Sequence, residues 1–275
     1  MELRPVRGPS AVGGGWRRFF NLLWLTSLAD FKRRYAGTTL GYLWAVLRPL
    51  TFFAILYVFV TVILQRFAGE IANYPVLLLL NITLFQFVVD SVQTSTRSLE
   101  TGALIQKVKL PQVVLPLSTV LMQALTYGIA LVITFIWMLI YGIEPMWTWL
   151  LLPVIIAALL TITCCASLLA SSLFVASRDV GQIVPLIARV LFYLTPVLFP
   201  IEALPKEWLI KLESFNPLAP IFVEARVWLI DPNAPGWFEF VHGVLAWVPF
   251  IVFGAVCVLG CVVFARRARY VAEEI

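Results

Sequence analysis

The sequence predicts an all-α integral membrane protein with six membrane-spanning helices, and three observations predict it. Of 275 residues 61% are hydrophobic and only 13% charged, where an ordinary soluble domain carries about 25% charge. That balance excludes a water-soluble globule and a disordered tail protein. Five intervals hold no charge at all, and each is long enough to cross a hydrocarbon core of about 30 Å. They contain 17 residues after Arg48, 19 after Glu70, 34 after Lys109, 33 after Glu144 and 26 after Glu239. Finally, the 20 Lys and Arg residues divide unequally between the two sides that these spans would create.

Residues 1–15 are basic and rich in Gly and Pro, with no short apolar core before a small-residue cleavage site, so no cleavable signal peptide is expected. Residues 16–36 are too basic to cross a bilayer and too apolar for a free tail. At 100° per residue Phe20, Trp24, Leu28, Phe31 and Tyr35 share one stripe, with Arg18, Lys32 and Arg33 away from it. The pattern suits a helix lying in the membrane interface and equally a simple basic flank. The spans follow near 49–66, 74–95, 115–141, 149–175, 181–199 and 242–265. The fifth contains Arg189, bracketed by Pro185 and Pro196, and is therefore the helix expected to kink or break.

Two connections stand out. Residues 96–112 place Leu99, Leu104, Ile105 and Val108 beside Glu100, Lys107 and Lys109, a short amphipathic helix needing a partner or the membrane surface for its apolar side; an ordinary interhelical loop is the alternative. Residues 200–240 carry six acids with Trp and Phe spread among them, too short for a domain with its own core. Its rings are expected to dip into the outer interface or cover a mouth.

Orientation follows from the basic residues. With the N-terminus cytoplasmic, fifteen Lys and Arg lie inside and four outside, with Arg189 within a span. Anionic headgroups and topology thus account for the net charge of +5 without nucleic acid. A charge such as Arg189 costs about 2.5–3.5 kcal/mol in lipid, so it should face protein or water. Either an anionic headgroup meets it or an acid such as Asp90 pairs with it.

No G-x-x-x-x-G-K-[ST] occurs, so ATP is not bound through a P-loop, and the single His242 has no hydrolytic motif around it. Cys164, Cys165, Cys257 and Cys261 lie within spans without metal-ligand spacing and read as packing residues.

The run Asp30-Phe31-Lys32-Arg33-Arg34-Tyr35-Ala36-Gly37-Thr38-Thr39-Leu40-Gly41-Tyr42-Leu43-Trp44, with Arg48-Pro49-Leu50, resembles bacterial polysaccharide-export permeases, the transmembrane subunits of type-2 ABC exporters. Leu104-Ile105-Gln106-Lys107-Val108 with Pro111, Leu115 and Pro116 agrees in order and position. So do Arg178-Asp179-Val180-Gly181-Gln182-Ile183-Val184-Pro185 leading to Thr195-Pro196-Val197, and Phe215-Asn216-Pro217-Leu218-Ala219-Pro220. The resemblance runs from about Trp16 to Phe264. It departs at Thr101-Gly102-Ala103, where relatives often carry Asn, and at Arg189, commonly an uncharged polar residue.

The resemblance implies two copies of this permease around a central pathway and two copies of a separate ATPase below. ATP and Mg would then belong to the partner, with no cofactor on this chain and no catalytic or metal residue. It also implies a cytoplasmic N-terminus with the interfacial helix over 1–48 and a six-helix domain over 49–275 in the inner membrane. Residues 97–108 correspond to the coupling helix, through Leu99, Glu100, Thr101, Gly102, Leu104, Ile105 and Lys107. The external segment corresponds to short gate helices carrying Trp208, Phe215, Phe222 and Trp228. The cargo implied is a lipid-linked polysaccharide with an anionic diphosphate. Arg17, Arg18, Lys32, Arg33 and Arg34 would gather that group. Rings and a charge of the first and fifth spans, Phe52, Phe53, Tyr57, Phe59, Arg189, Phe192, Tyr193 and Phe199, would line the path and let sugars slide without leaving strong hydrogen-bonding groups unpaired. A drug or lipid exporter of the same superfamily is the alternative, and a membrane enzyme acting on lipid-linked sugars has too few convergent acids.

Overall fold

A computed structural model describes residues 15–65, 73–100, 111–201 and 207–271. The described chain is helical. Helix α1 spans Trp16–Tyr35, with Lys32, Arg33 and Arg34 in its last turn, where the partial negative charge of a helix C-terminus favours cations. Gly37 at φ +76° turns the chain back. A 3-10 turn at Gly41–Leu43 then opens α2, Trp44–Val58, which continues as one π-helical turn over Phe59–Ile63. Next come α3, Tyr74–Thr96, then α4, Val114–Ile140, and α5, Leu152–Ala176. Helix α6 is Val180–Leu194, the short helices α7, α8 and α9 are Glu207–Glu213, Ala219–Leu229 and Trp237–Phe240, and α10 is Val248–Val271.

Five stretches are long and apolar enough to cross a membrane: Gly41–Ile63, Tyr74–Thr96, Val114–Ile140, Trp147–Ala176 and Gly243–Arg267. The fifth expected span, 181–199, is realised as α6, only 15 residues and so about 22 Å long. Its early stop has a local cause. A residue before proline is pushed out of the helical region, and Thr195, ahead of Pro196, is extended at φ −101°, ψ 141°. Pro185, by contrast, sits inside the helix. The first span starts earlier than expected, at Gly41 rather than 49, because Arg48 lies on the helix and not before it.

Helix α3 is the centre. Its residues Val76 to Phe85 are buried without interruption, and α2, α4, α5 and α6 pack around it. Several small polar side chains in this core bond back to their own helix, as Thr83 does to Leu79 O and Ser91 to Phe87 O, so these hydroxyls need no partner from lipid. On the outer flank α10 lies against α5. Gly260 permits the approach, since a Cβ there would overlap the Cys165 carbonyl.

Ending a helix inside a membrane leaves carbonyls without partners, and three side chains meet them after α6. Asn216 donates to Leu194 O (3.1 Å) and to Thr195 Oγ1 (2.6 Å), Asn81 donates to Pro196 O (2.9 Å), and Tyr74 donates to Leu198 O (2.8 Å). The Asn-Pro-Leu element of the external segment is thus the cap of the broken helix. That segment also builds more core than its length suggests. Trp237 is fully buried with Ile201, Ala219, Val223, Val241 and Ala246, and its indole N–H donates to Ala246 O at 2.9 Å.

Candidate functional site

Of the five bases of α1 expected to gather an anion, the structure turns one inward. Lys32 and Arg33 are exposed, as is Arg17, and Arg18 is partly buried. Arg34 faces α4, where its Nη1 donates to Gln123 Oε1 at 2.8 Å. The α1 stripe is divided in the same way. Trp24 and Phe20 are half exposed, whereas Tyr35 is buried and stacks edge-on against Phe31 and near Tyr42. Helix α1 therefore rests on the bundle through its C-terminal half.

Gln123 is fully buried and spans the gap to α3, its Nε2 donating to Thr94 Oγ1 (3.1 Å) and to the Asp90 carbonyl (3.3 Å). One turn along α4, the Tyr127 hydroxyl donates to Asp90 Oδ2 at 2.7 Å. Arg48, reaching over from α2, brings Nη1 to 3.7 Å from the same oxygen. Arg34, Arg48, Asp90 and Tyr127 line a cavity of about 340 Å³ together with Tyr35, Thr38, Trp44 and Thr126, within the usual size of a small-molecule site of about 300–1,000 Å³. The arrangement offers two guanidinium forks, one carboxylate and three rings, a set suited to holding a compact anion attached to something apolar. Sequence reasoning missed Arg48, Gln123 and Tyr127. The signal available was the i,i+4 spacing of Gln123 and Tyr127 on one face of an apolar helix opposite Asp90, the only acid within its span.

Asp90 is thereby taken by Arg48 and Tyr127, which corrects the idea that it pairs with Arg189. Arg189 is exposed on α6, and among the described residues no ion pair reaches it. The ring residues expected along the path divide. Phe52 of α2 meets Phe192 of α6 at 5.7 Å between centroids, and Phe192 also meets Phe85 of α3 at 5.4 Å, a link the sequence did not show. Phe53 is buried and stacked on Tyr57, Phe199 is partly buried, and Phe59 and Tyr193 are exposed. Of the four gate rings Trp208 and Phe215 are exposed. Phe222 lies in the core against Phe85, and Trp228 packs partly on that core beside Trp149, whose indole donates to Leu229 O.

At the opposite end of the bundle from these gate rings, the beginning of the expected coupling segment is visible. Leu99 is buried against Leu168 and Phe264, so it anchors the segment to α5 and α10. Glu100 pairs with Arg178 at 3.4 Å, and the Arg97 guanidinium sits over the Phe174 ring and beside Gly181. Both links run to the turn between α5 and α6. Thr101, Gly102, Leu104, Ile105 and Lys107 lie outside the described residues.

Comparison with known proteins decides the family. Residues 21–229 match the family model described as ABC-2 type transporter. The chain belongs to the ABC-2 type transporter family. Within it, the chain is 32% identical over 211 residues to the O-antigen export system permease protein RfbA of Klebsiella pneumoniae, covering 75% of this chain and 79% of that one. It is 26% identical to the protein of the same name from Myxococcus xanthus, with the same coverage. It is 25% identical over 205 residues to the polysialic acid transport protein KpsM of Escherichia coli, covering 72% and 77%. The family and its apolar helices make the chain a multi-pass transport permease subunit. The polar cavity between α1, α2, α3 and α4 and the ring cluster between α2, α3 and α6 both fall inside the matched region.

Proposed function

We propose that this chain is the permease subunit of an ATP-driven exporter that moves a diphosphate-linked lipid polysaccharide of the O-antigen or capsule class across a bacterial inner membrane. The observation that carries the reading is the similarity, over three quarters of the chain, to permeases whose names give O-antigen export and polysialic acid transport as their function. The end bearing Arg34, Arg48, Arg97, Arg178 and Arg267 faces the cytoplasm, by the excess of bases there, and both termini lie on that side.

Two copies of the chain enclose the pathway. Arg189 supports this: α6 exposes Ile183, Leu186, Val190 and Tyr193, an apolar face that lipid could cover, yet Arg189 stands on the same short helix and is costly against lipid. A second copy with a wet seam between the two satisfies both. Two copies of a separate ATPase drive transport, and closure of that partner pushes on residues 97–108. Because Glu100 is tied to Arg178 and Arg97 to the Phe174–Gly181 contact, the push reaches the start of α6 without passing through the core. The bases of α1 collect the diphosphate, and the rings of α2 and α6 give the sugars flat surfaces to slide on.

Deleting the gene tests the reading. Surface polysaccharide is expected to be lost while lipid-linked glycan accumulates inside the cell. Intact surface polysaccharide without internal accumulation would sink it, and loss of drug or lipid efflux instead would transfer the chain to that cargo.

A further inference from the structure

In the cavity beneath α1, one pairing is unlike the rest of the network. Asp90 is held firmly: its hydroxyl donor Tyr127 is at 2.7 Å, and its own backbone carbonyl is fixed by the buried Gln123. Arg48 is held loosely, 3.7 Å from the same carboxylate oxygen, with its side chain 61% exposed against 25% for Asp90. A structural ion pair at membrane depth is expected to be short and closed, since a poorly paired charge there is expensive. Arg34 likewise spends one donor on Gln123 and has four more on its fork. The cavity therefore contains two guanidiniums whose donors are mostly uncommitted, and a single anion placed rigidly between elements so that it neutralises one of them.

We infer that Asp90 is a resident counter-anion, occupying Arg48 while the cavity is empty and giving it up when the diphosphate of a lipid headgroup enters between Arg34 and Arg48. The inference deepens the export reading and rests on it for the source of the phosphate. A diphosphate carries more charge than a carboxylate and offers each guanidinium a two-oxygen face, so it displaces Asp90 from Arg48. Tyr127 keeps the displaced carboxylate bonded, which prevents it from being left without a partner. Trp44 and Tyr35 on the same cavity wall offer flat apolar faces to the groups that a phosphate diester joins. In the empty state the pairing also discriminates, because a ligand must bring enough negative charge to outcompete a carboxylate already in place.

The test is direct binding to the purified full-length permease in lipid nanodiscs, with farnesyl diphosphate, farnesyl monophosphate and inorganic pyrophosphate as probes. Farnesyl diphosphate is expected to bind more tightly than the monophosphate. Asp90→Asn is expected to tighten it by about tenfold, Arg48→Ala and Arg34→Ala each to weaken it by a similar factor, and Asp90→Glu to restore the native value. Thermal unfolding midpoints of the same samples separate a folding defect from a binding effect. Unchanged or weaker binding in Asp90→Asn with a native midpoint overturns the counter-anion role. Binding unaffected by both arginine substitutions overturns the site, and equal affinity for pyrophosphate and farnesyl diphosphate overturns the lipid source in favour of a free phosphate anion. None of these results bears on whether surface polysaccharide is lost on gene deletion, so the export reading fails or stands separately.

Discussion

Glu213 shows how far one side chain can depart from its surroundings. It closes α7 in the external segment, is 2% exposed, and neither carboxylate oxygen has a hydrogen-bond partner. Burial pushes its carboxyl up to about 8, far above the ordinary range near 4.5. The folded state therefore keeps a proton that the unfolded chain gives up, and stability falls as pH rises from about 4.5 to about 8 and stays low above that. Glu213→Gln removes the proton from the equilibrium. In detergent, its thermal unfolding midpoint is expected to exceed that of the native protein at pH 7, by a margin on the order of a few kcal/mol in stability, and the two midpoints should converge below pH 4.5. A native midpoint that does not change between pH 5 and pH 8 would show the carboxylate to be ionised and satisfied. No pattern in the sequence marked Glu213, because its peculiarity is its burial, which is set by packing and not by its own residue type. Asn216, three positions on, was legible as part of a motif, but the carbonyls it serves became apparent only when α6 was seen to stop at Leu194.

Among the elements, α6 is the one on which the other features converge. Its far end is held by Asn81, Asn216 and Tyr74, and its near end by the links to Arg97 and Glu100. The Glu100–Arg178 pair is exposed, 47% and 86% by side chain, and such pairs contribute roughly 0–1 kcal/mol. Its value, on the proposed mechanism, is in transmitting force and not in holding the fold together. Glu100→Arg and Arg178→Glu singly should each reduce polysaccharide export several-fold with unchanged unfolding midpoints, and the double exchange should recover most of it. If the double variant exports no better than either single one, the pair is not the link. Element boundaries were read from charge placement, and this explains where the reading failed. Charges were taken to bound spans, which holds for Asp90 at the end of one interval only approximately and fails for Arg48, since both lie on helices and meet in a polar cavity. Proline gave the better signal, and Pro196 ends α6 where its geometry requires.

For the whole molecule, the number of apolar helices, their order and the family were legible because hydrophobic length and motif order survive in a linear string. What joins them was not, because Arg34, Gln123, Tyr127, Asp90 and Arg48 are scattered over 90 residues and meet only through packing. The same logic extends to the second copy, whose contact surface is written in exposure. Helix α10 exposes Val258 and Leu259 with no charge among the neighbours on that face, which suits lipid. Helix α6 exposes a comparable apolar surface but carries Arg189 on it, which does not. In a background lacking the four native cysteines, single cysteines at Leu186, Val190 and Tyr193 should include at least one that forms an oxidised dimer in native membranes, whereas Val258→Cys should not. A dimer at Val258 with none on α6 would place the second copy against α10 and leave Arg189 to be satisfied within one chain. The expected result, by contrast, puts the two α6 helices on either side of the seam, where ATP-driven movement at Arg178 would widen or narrow it.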